Sequence, residues 1–214
     1  MGAKIPKASL SLGGIPLLRH TLQKFEICPQ VDEVLPLVPP QEVSFWTDEI
    51  GRSSKLKKVQ RILAGGAERQ DSVFLGLEAI AGNADWVIIH DGARPFVPPE
   101  LIERALSETL RWKAVAAALP AGETIKDVSP EKEVLRTVDR SSLWIVQTPQ
   151  CFEYGLIVSA HEKAREERFY GTDDASLVER LGIPVRVIEG SRFNFKITTP
   201  DDLILGEALL KYLK

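Results

Sequence analysis

The apolar run Trp86–His90 (WVIIH) ends directly on Asp91-Gly92-Ala93-Arg94-Pro95, and a second run, Ala114–Leu119 (AVAAAL), follows it one amphipathic stretch later. Continuous apolar strands of this kind, covered on both faces, belong to α/β folds rather than to antiparallel sheets with a wet side. Between them, Pro98 and Pro99 suit a first helical turn, and Leu101, Ile102, Ala105, Leu106 and Thr109 recur at helical spacing. The same order runs along most of the chain. Pro16–Phe25 reads as a helix, Val31–Val38 as a strand weakened by Pro36, and the region near Val43–Ile50 as a short helix. Val59–Ala64 then reads as a strand delivered into Gly65-Gly66, with a helix after it. Downstream come a strand at Leu143–Val146, helices over Tyr154–Glu167 and Asp174–Leu181, and strands at Val185–Ile188 and Phe195–Thr198. A last helix is announced by Thr199-Pro200-Asp201-Asp202, a capping residue with Pro and acids in the first turn. Alternating strands and helices with short links predict a mostly parallel, Rossmann-like sheet with helices on both faces.

The alternation breaks once. Residues 121–142 hold two period-two segments, ETIKDV and EVLRTVDR, around the turn Ser129-Pro130-Glu131-Lys132. A polar two-stranded ribbon between buried parallel strands predicts a projecting β-hairpin arm that needs a second surface, and a homodimer supplies one. With 214 residues the rest is expected to be one domain, 1–214, carrying this arm.

Composition removes several function classes. Lys and Arg number 27 against 30 Asp and Glu, a formal charge of −3, which argues against a sequence-blind nucleic-acid binder. Only two cysteines occur, Cys28 and Cys151, in neither zinc nor disulfide-scaffold spacing. No apolar stretch approaches the roughly 20 residues of a membrane span. A cytoplasmic protein is expected.

In open α/β sheets ligands bind beyond the carboxyl ends of the strands, so polar clusters placed there are the candidates. Gly65, Gly66, Arg69 and Ser72 follow one strand, Asp91 and Arg94 a second, and Gln147, Thr148 and Gln150 a third. Glycines permit close backbone approach, while a carboxylate, guanidinium and hydroxyls suit a polar, phosphate-bearing ligand. Taken singly, each has a plain structural use: the glycine pair as a strand-to-helix turn, Asp91 as a cap braced by Arg94, His90 as a packed strand residue. Lys7 and Arg140 read as solvated charges, and Lys196 as an outward strand residue.

The blocks IPK, LGGIPLLRHTL, AGGAERQDSV, HDGARPF, TVDRSSLWIVQTPQCF, GTDDASLVE and IEGSRFNFKITTPDDL, in this order over nearly the whole chain, resemble the 2-C-methyl-D-erythritol 4-phosphate cytidylyltransferase family. That resemblance implies CMP transfer from CTP to methylerythritol phosphate with loss of pyrophosphate, Mg²⁺ as cofactor, and a homodimer through the arm. It assigns Lys7 and Lys196 to charge stabilisation, Gly66 and Ser72 to the nucleotide together with their neighbours Gly65 and Arg69, and Asp91, beside Arg94, to the acceptor's hydroxyls. Thr124 and Arg140 match arm residues that reach a neighbouring subunit's site, and Thr148 and Thr172 match further lining groups. No metal ligand is assigned to the protein. The family's apolar first strand and glycine-rich triphosphate loop would precede Met1, which implies weakened triphosphate binding in the chain as it stands. Ala8, Ser9 and Ala67 depart from the family pattern. Ribitol-phosphate or other sugar-phosphate nucleotidyl transfer, and a truncated non-catalytic binding module, are the competing expectations.

Overall fold

In this computed structural model residues 10–51, 53 and 55–213 are described, so Lys7, Ala8 and Ser9 lie outside the described residues. The chain runs β1 (Ser11–Leu12), β2 (Ile15–Pro16), α1 (Leu17–Glu26), β3 (Leu37–Val38), a 3-10 turn (Pro40–Glu42), α2 (Val43–Gly51), β4 (Leu63–Ala64), α3 (Arg69–Ala79) and β5 (Trp86–Ile89). It continues with α4 (Pro99–Trp112), β6 (Ala114–Pro120), β7 (Ile125–Val128), β8 (Val134–Val138), β9 (Trp144–Glu153), α5 (Tyr154–Glu166), α6 (Asp174–Arg180), β10 (Arg186–Glu189) and α7 (Pro200–Tyr212).

The main sheet has four strands in the order β10-β6-β9-β5. β10 is parallel to β6, while β9 runs antiparallel to both β6 and β5. Three of the four strands therefore point one way, and the sheet is mixed. β9 runs past the predicted Leu143–Val146 to Glu153: Gln150 pairs with Ala116 and Ile89, while the buried Gln147 and Thr148 sit at the register shift between Ala116 and Ala118. Their polarity hides a strand that tertiary hydrogen bonds make affordable.

Alternation sorts the side chains to the two faces. Val115, Ala117, Cys151 and Ile188 meet Leu101, Ile102 and Ala105 of α4 and Phe25 of α1. Ala114, Ala116, Ile89 and Phe152 meet Leu77 of α3, Ile157, Ala160 and Ala164 of α5, and Leu177 and Val178 of α6. The small side chains of β6 let helices approach closely from both sides. Phe152 is fully buried, and truncating it to Ala is expected to cost about 3–5 kcal/mol.

The predicted strands at Val31–Val38 and Val59–Ala64 shrink to the two-residue parallel pair β3 and β4. Pro36 lacks an N–H, and its carbonyl accepts from Leu63 at 3.0 Å just before the pair begins. Phe195–Thr198 is extended without joining a ladder: Ile197 N–H donates to the Ala93 carbonyl at 2.9 Å, tying this segment to the loop after β5. The predicted cap of the last helix is present as a capping box between Thr199 and Asp202. Residues 121–142 form a hairpin, β7 antiparallel to β8, as a separate two-stranded sheet. Among the described residues no helix is long and apolar enough to cross a membrane.

Candidate active site

β5 hands the chain to His90 and Asp91 at the edge of the sheet, and β9 passes beside it with Ile89 opposite Gln150. That register puts Thr148 against the start of the loop, where its Oγ1 accepts from Asp91 N–H at 3.0 Å. His90 Nε2 faces the Arg94 carbonyl at 3.3 Å, and Nδ1 faces Thr148 Oγ1 at 3.0 Å. A carbonyl only accepts, so Nε2 carries the proton and the Thr148 hydroxyl donates to Nδ1. A directed chain results, Asp91 N–H to Thr148 O–H to His90, that closes on the residue ending the turn. Burial pushes the His90 imidazole down to about 4, with Arg94 and Lys196 nearby also disfavouring the cation. The ring is neutral near pH 7 and packs against Phe25 at 5.0 Å. Sequence reading treated His90 as a packed residue; its partners are 4 and 58 positions away, and no local pattern announces them.

Asp91 is the centre of the charge arrangement. Its Oδ2 lies 3.1 Å from Arg94 Nε and 3.1 Å from Lys196 Nζ, and its Oδ1 lies 3.5 Å from Arg69 Nε. Burial opposes ionisation, but Lys196, Arg69 and Arg94 together outweigh it and hold the carboxyl at about 2. Arg94 is further fixed by donating to the Asn194 carbonyl at 2.8 Å.

Lys196 arrives from the loop after β10, and buried amides hold that loop. Asn194 Nδ2 donates to Gln147 Oε1 at 3.2 Å and to the Thr148 carbonyl at 2.7 Å. Gln147 Nε2 donates to the Ser191 carbonyl at 3.0 Å. A Cβ on Gly190 would run into the Gln147 amide and stand 3.3 Å from the Ala118 carbonyl, so glycine suits the close approach of this loop to β6 and β9.

The glycine pair folds over the start of α3. Gly66 N–H donates to Ser72 Oγ at 3.0 Å, and Ser72 donates to the Glu68 carbonyl at 3.1 Å. A Cβ on Gly66 would come within 2.5 Å of Asp71 Cβ and 3.2 Å of its backbone carbon. Arg69 leaves this turn and points to the Asp91 group, where its Nη1 is also 2.7 Å from Asp174 Oδ2. Together with Arg69 and Asp174, the turn faces Tyr170 and Thr172 across an open cleft of about 470 Å³. Two glutamines fix the far wall: Gln70 bonds the Phe169 carbonyl and the Gly171 N–H at 3.0 and 2.9 Å, and Gln150 bonds Asp173 Oδ2 and Ala175 N–H at 2.7 and 3.0 Å.

The structure thus brings Arg69, Asp91, Arg94, Thr148 and Lys196 together; Thr172 lines the adjoining cleft with Arg69, and Gly65, Gly66 and Ser72 form the turn that leads into it. Thr124 and Arg140 stand apart on the hairpin stem, where Arg140 donates to the Gly122 carbonyl. Among the described residues, no hydrogen bond or ion pair links them to the Asp91 group. No group of three or more His, Cys, Asp or Glu side chains capable of holding a metal occurs among the described residues, and both Asp91 oxygens already face cations.

A mixed α/β sheet with a cation-rich group at its strand ends defines a protein suited to anionic ligands. The chain belongs to the 2-C-methyl-D-erythritol 4-phosphate cytidylyltransferase family, whose model matches residues 1–212. A relative of that name from Syntrophus aciditrophicus is 46% identical over 211 residues, covering 99% of this chain and 90% of the relative. One from Geobacter metallireducens is 46% identical over 214 residues, covering 99% and 92%. The crystal structure of 2-C-methyl-D-erythritol 4-phosphate cytidylyltransferase from Thermus thermophilus superposes with a TM-score of 0.81 at 39% identity, covering 96% of this chain and 94% of that one. The 4-diphosphocytidyl-2C-methyl-D-erythritol synthase from Anaerococcus prevotii gives 0.86 at 30% identity, covering 94% and 88%. Nothing in these matches supports the expectation of an impaired enzyme.

Proposed function

We propose that this chain transfers the cytidylyl group of CTP to 2-C-methyl-D-erythritol 4-phosphate and releases pyrophosphate, in isoprenoid-precursor synthesis. The family match over the whole chain and the cation group around Asp91 carry this reading. An oxygen of the acceptor phosphate attacks the α-phosphorus, a new P–O bond forms, and the bond to the pyrophosphate oxygen breaks. Two polyanions must meet, so the protein's work is charge neutralisation and in-line positioning, without a protein nucleophile.

Each residue then has a physical task. Lys196, held at the cleft by the Asn194 loop, offers an ammonium that can leave Asp91 for a phosphate oxygen. Lys7 is assigned a similar task on the α-phosphate. Asp91, kept ionised by its cations, is available to accept from acceptor hydroxyls, and Thr148 fixes its backbone. Gly65, Gly66 and Ser72 form a close-approach turn for the nucleotide, and Thr172 lines the opposite wall. Thr124 and Arg140 are proposed to serve the acceptor phosphate of a second copy, docked through residues 121–142 of a single domain.

Magnesium is proposed to come with the nucleotide, where it would add positive charge against the phosphates beside Lys196 and Arg94. The described carboxylates do not form a site that would hold it independently, and no step here runs through it. The charged, water-soluble substrates fit a cytoplasmic reaction, with no part for membrane or nucleic acid.

The test is pyrophosphate release by the purified chain across nucleotides and acceptors. CTP with methylerythritol phosphate is expected to give the highest kcat/KM. Faster turnover with ribitol phosphate would overturn the acceptor assignment, and saturable CTP binding without turnover would leave a binding module.

A further inference from the structure

Behind the cleft lies a buried pair for which the reading above has no task. His161 on α5 and Asp174, the first residue of α6, are 0% and 1% exposed. His161 Nε2 faces Asp174 Oδ1 at 3.1 Å. Around them the core is apolar, built from Ala160, Ala164, Leu177 and Val178, where an uncompensated carboxylate is costly. Among the described residues the imidazole has this one hydrogen bond, and Nδ1 is buried without a partner. Asp174 Oδ2, buried and without a hydrogen bond of its own, is met by Arg69 as an ion pair, with Nη1 2.7 Å away. The same guanidinium presents Nε to Asp91 at 3.5 Å.

Arg69 is therefore strung between a carboxylate in the core and one at the cleft. A free arginine side chain samples many rotamers, and each one fixed in advance is one fewer to be ordered when ligand binds. The Asp91 contact is a long hydrogen bond at 3.5 Å, whereas the Asp174 contact is a shorter ion pair at 2.7 Å. The anchor is on the buried side. His161 is in turn packed against the Phe74 ring, stacked at 6.1 Å, which backs the buried end of this line.

We propose that Asp174, backed by His161, is a positioning residue of the cytidylyl-transfer site, acting through Arg69. It holds the Arg69 guanidinium beside Asp91, aimed across the cleft at the incoming polyanions, and itself touches neither substrate. The inference rests on the function proposed above. A lysine at position 69 has one ammonium and cannot reproduce a fork that meets two carboxylates through different nitrogens.

The experiment is a double-mutant cycle on the full chain, read as kcat/KM for CTP and methylerythritol phosphate with folding followed by circular dichroism. Asp174→Asn is expected to lower kcat/KM about tenfold and to add nothing in an Arg69→Ala background, the mark of acting through one partner. Arg69→Lys is expected to stay close to Arg69→Ala. Should Asp174→Asn fail to fold, His161→Leu and His161→Gln replace it. Glutamine keeps a donor near the place of Nε2 and retains more activity than leucine, and both are expected to be silent once Arg69 is gone. Losses that multiply in the Arg69→Ala background overturn the inference alone. A wild-type chain inactive on these substrates overturns the function and the inference with it.

Discussion

The four-stranded sheet and the hairpin β7–β8 are both built of β-strands, one from continuous apolar runs and the other from period-two segments, and they end differently. In β6 every side chain from Ala114 to Ala118 is buried, because α4 covers one face and α5 and α6 the other. In the hairpin Val128, Val134 and Leu135 remain 46%, 60% and 63% exposed, and Ile145 at the start of β9 is 60% exposed. Helical crossovers bring covers to the sheet, and residues 121–142 bring none. An isolated two-stranded ribbon is marginal in water, and this exposed apolar surface is where the proposed second copy would lie. The candidate site is divided the same way: Asp91, Arg94 and Lys196 are fixed by the sheet, while Thr124 and Arg140 ride on the ribbon.

The division is broken most strongly at Lys196. Lys196→Ala removes a preorganised cation 3.1 Å from Asp91 and is expected to lower kcat/KM about 10²–10³-fold, with folding unchanged. Steady-state pyrophosphate release checks it, and a loss confined to KM for one substrate would place Lys196 in binding only. On the ribbon, Arg140→Ala is expected to raise the acceptor KM about 30-fold, consistent with losing a charge-assisted hydrogen bond, while CTP binding by calorimetry stays near wild type. An equal loss for both substrates would move Arg140 out of the acceptor's half of the site. The two variants together measure whether sheet and ribbon serve different substrates.

How much of this was legible follows the same line. The helices and the strands β5, β6 and β10 announce themselves because their side chains meet their covers at a fixed period. Thr199 and Asp202 announce a cap because its hydrogen bonds are local. The second half of β9 does not, since Gln147 and Gln150 are buried by bonds to Ser191, Asn194, Asp173 and Ala175 that lie more than twenty residues away. Among candidate site residues, Asp91 and Arg94 are legible by their place after a strand, while Lys196, an outward strand residue by pattern, is singled out only by resemblance to a family; the structure brings the three together. Arg69 is expected at the nucleotide beside the glycine turn; its ion pairs to the carboxylates of Asp91 and Asp174 join residues far apart in sequence, which no local pattern announces.

The covering role of a second copy is tested on the ribbon itself. Leu135→Glu with Ile145→Glu places charges where exposed apolar side chains now stand. Sedimentation is expected to shift from dimer to monomer, acceptor KM to rise as in Arg140→Ala, and the thermal midpoint of the monomer to change by no more than about 2 °C, as for surface substitutions. A chain that is monomeric before mutation removes the ribbon's proposed purpose.

The smallest expected effect belongs to the sheet side and has a pH signature. His90 stays neutral in the fold down to about 4, against an ordinary value of 6.5. As pH falls the unfolded chain takes up this proton first, so stability present above about pH 6.5 is lost between 6.5 and 4 and no further below. Asp91, lowered from 3.8 to about 2 by its cations, acts in the next window, its contribution present above 3.8 and lost as pH falls through 2. His90→Gln keeps a donor for the Arg94 carbonyl and removes the titration. It is expected to flatten the stability curve between pH 6.5 and 4 by up to about 1.4 kcal/mol per pH unit and to reduce kcat/KM only a few-fold. Urea unfolding at several pH values reads the slope directly. An unchanged slope would mean that the turn carrying Asp91 is held by the sheet alone, without the neutral imidazole that joins its two ends.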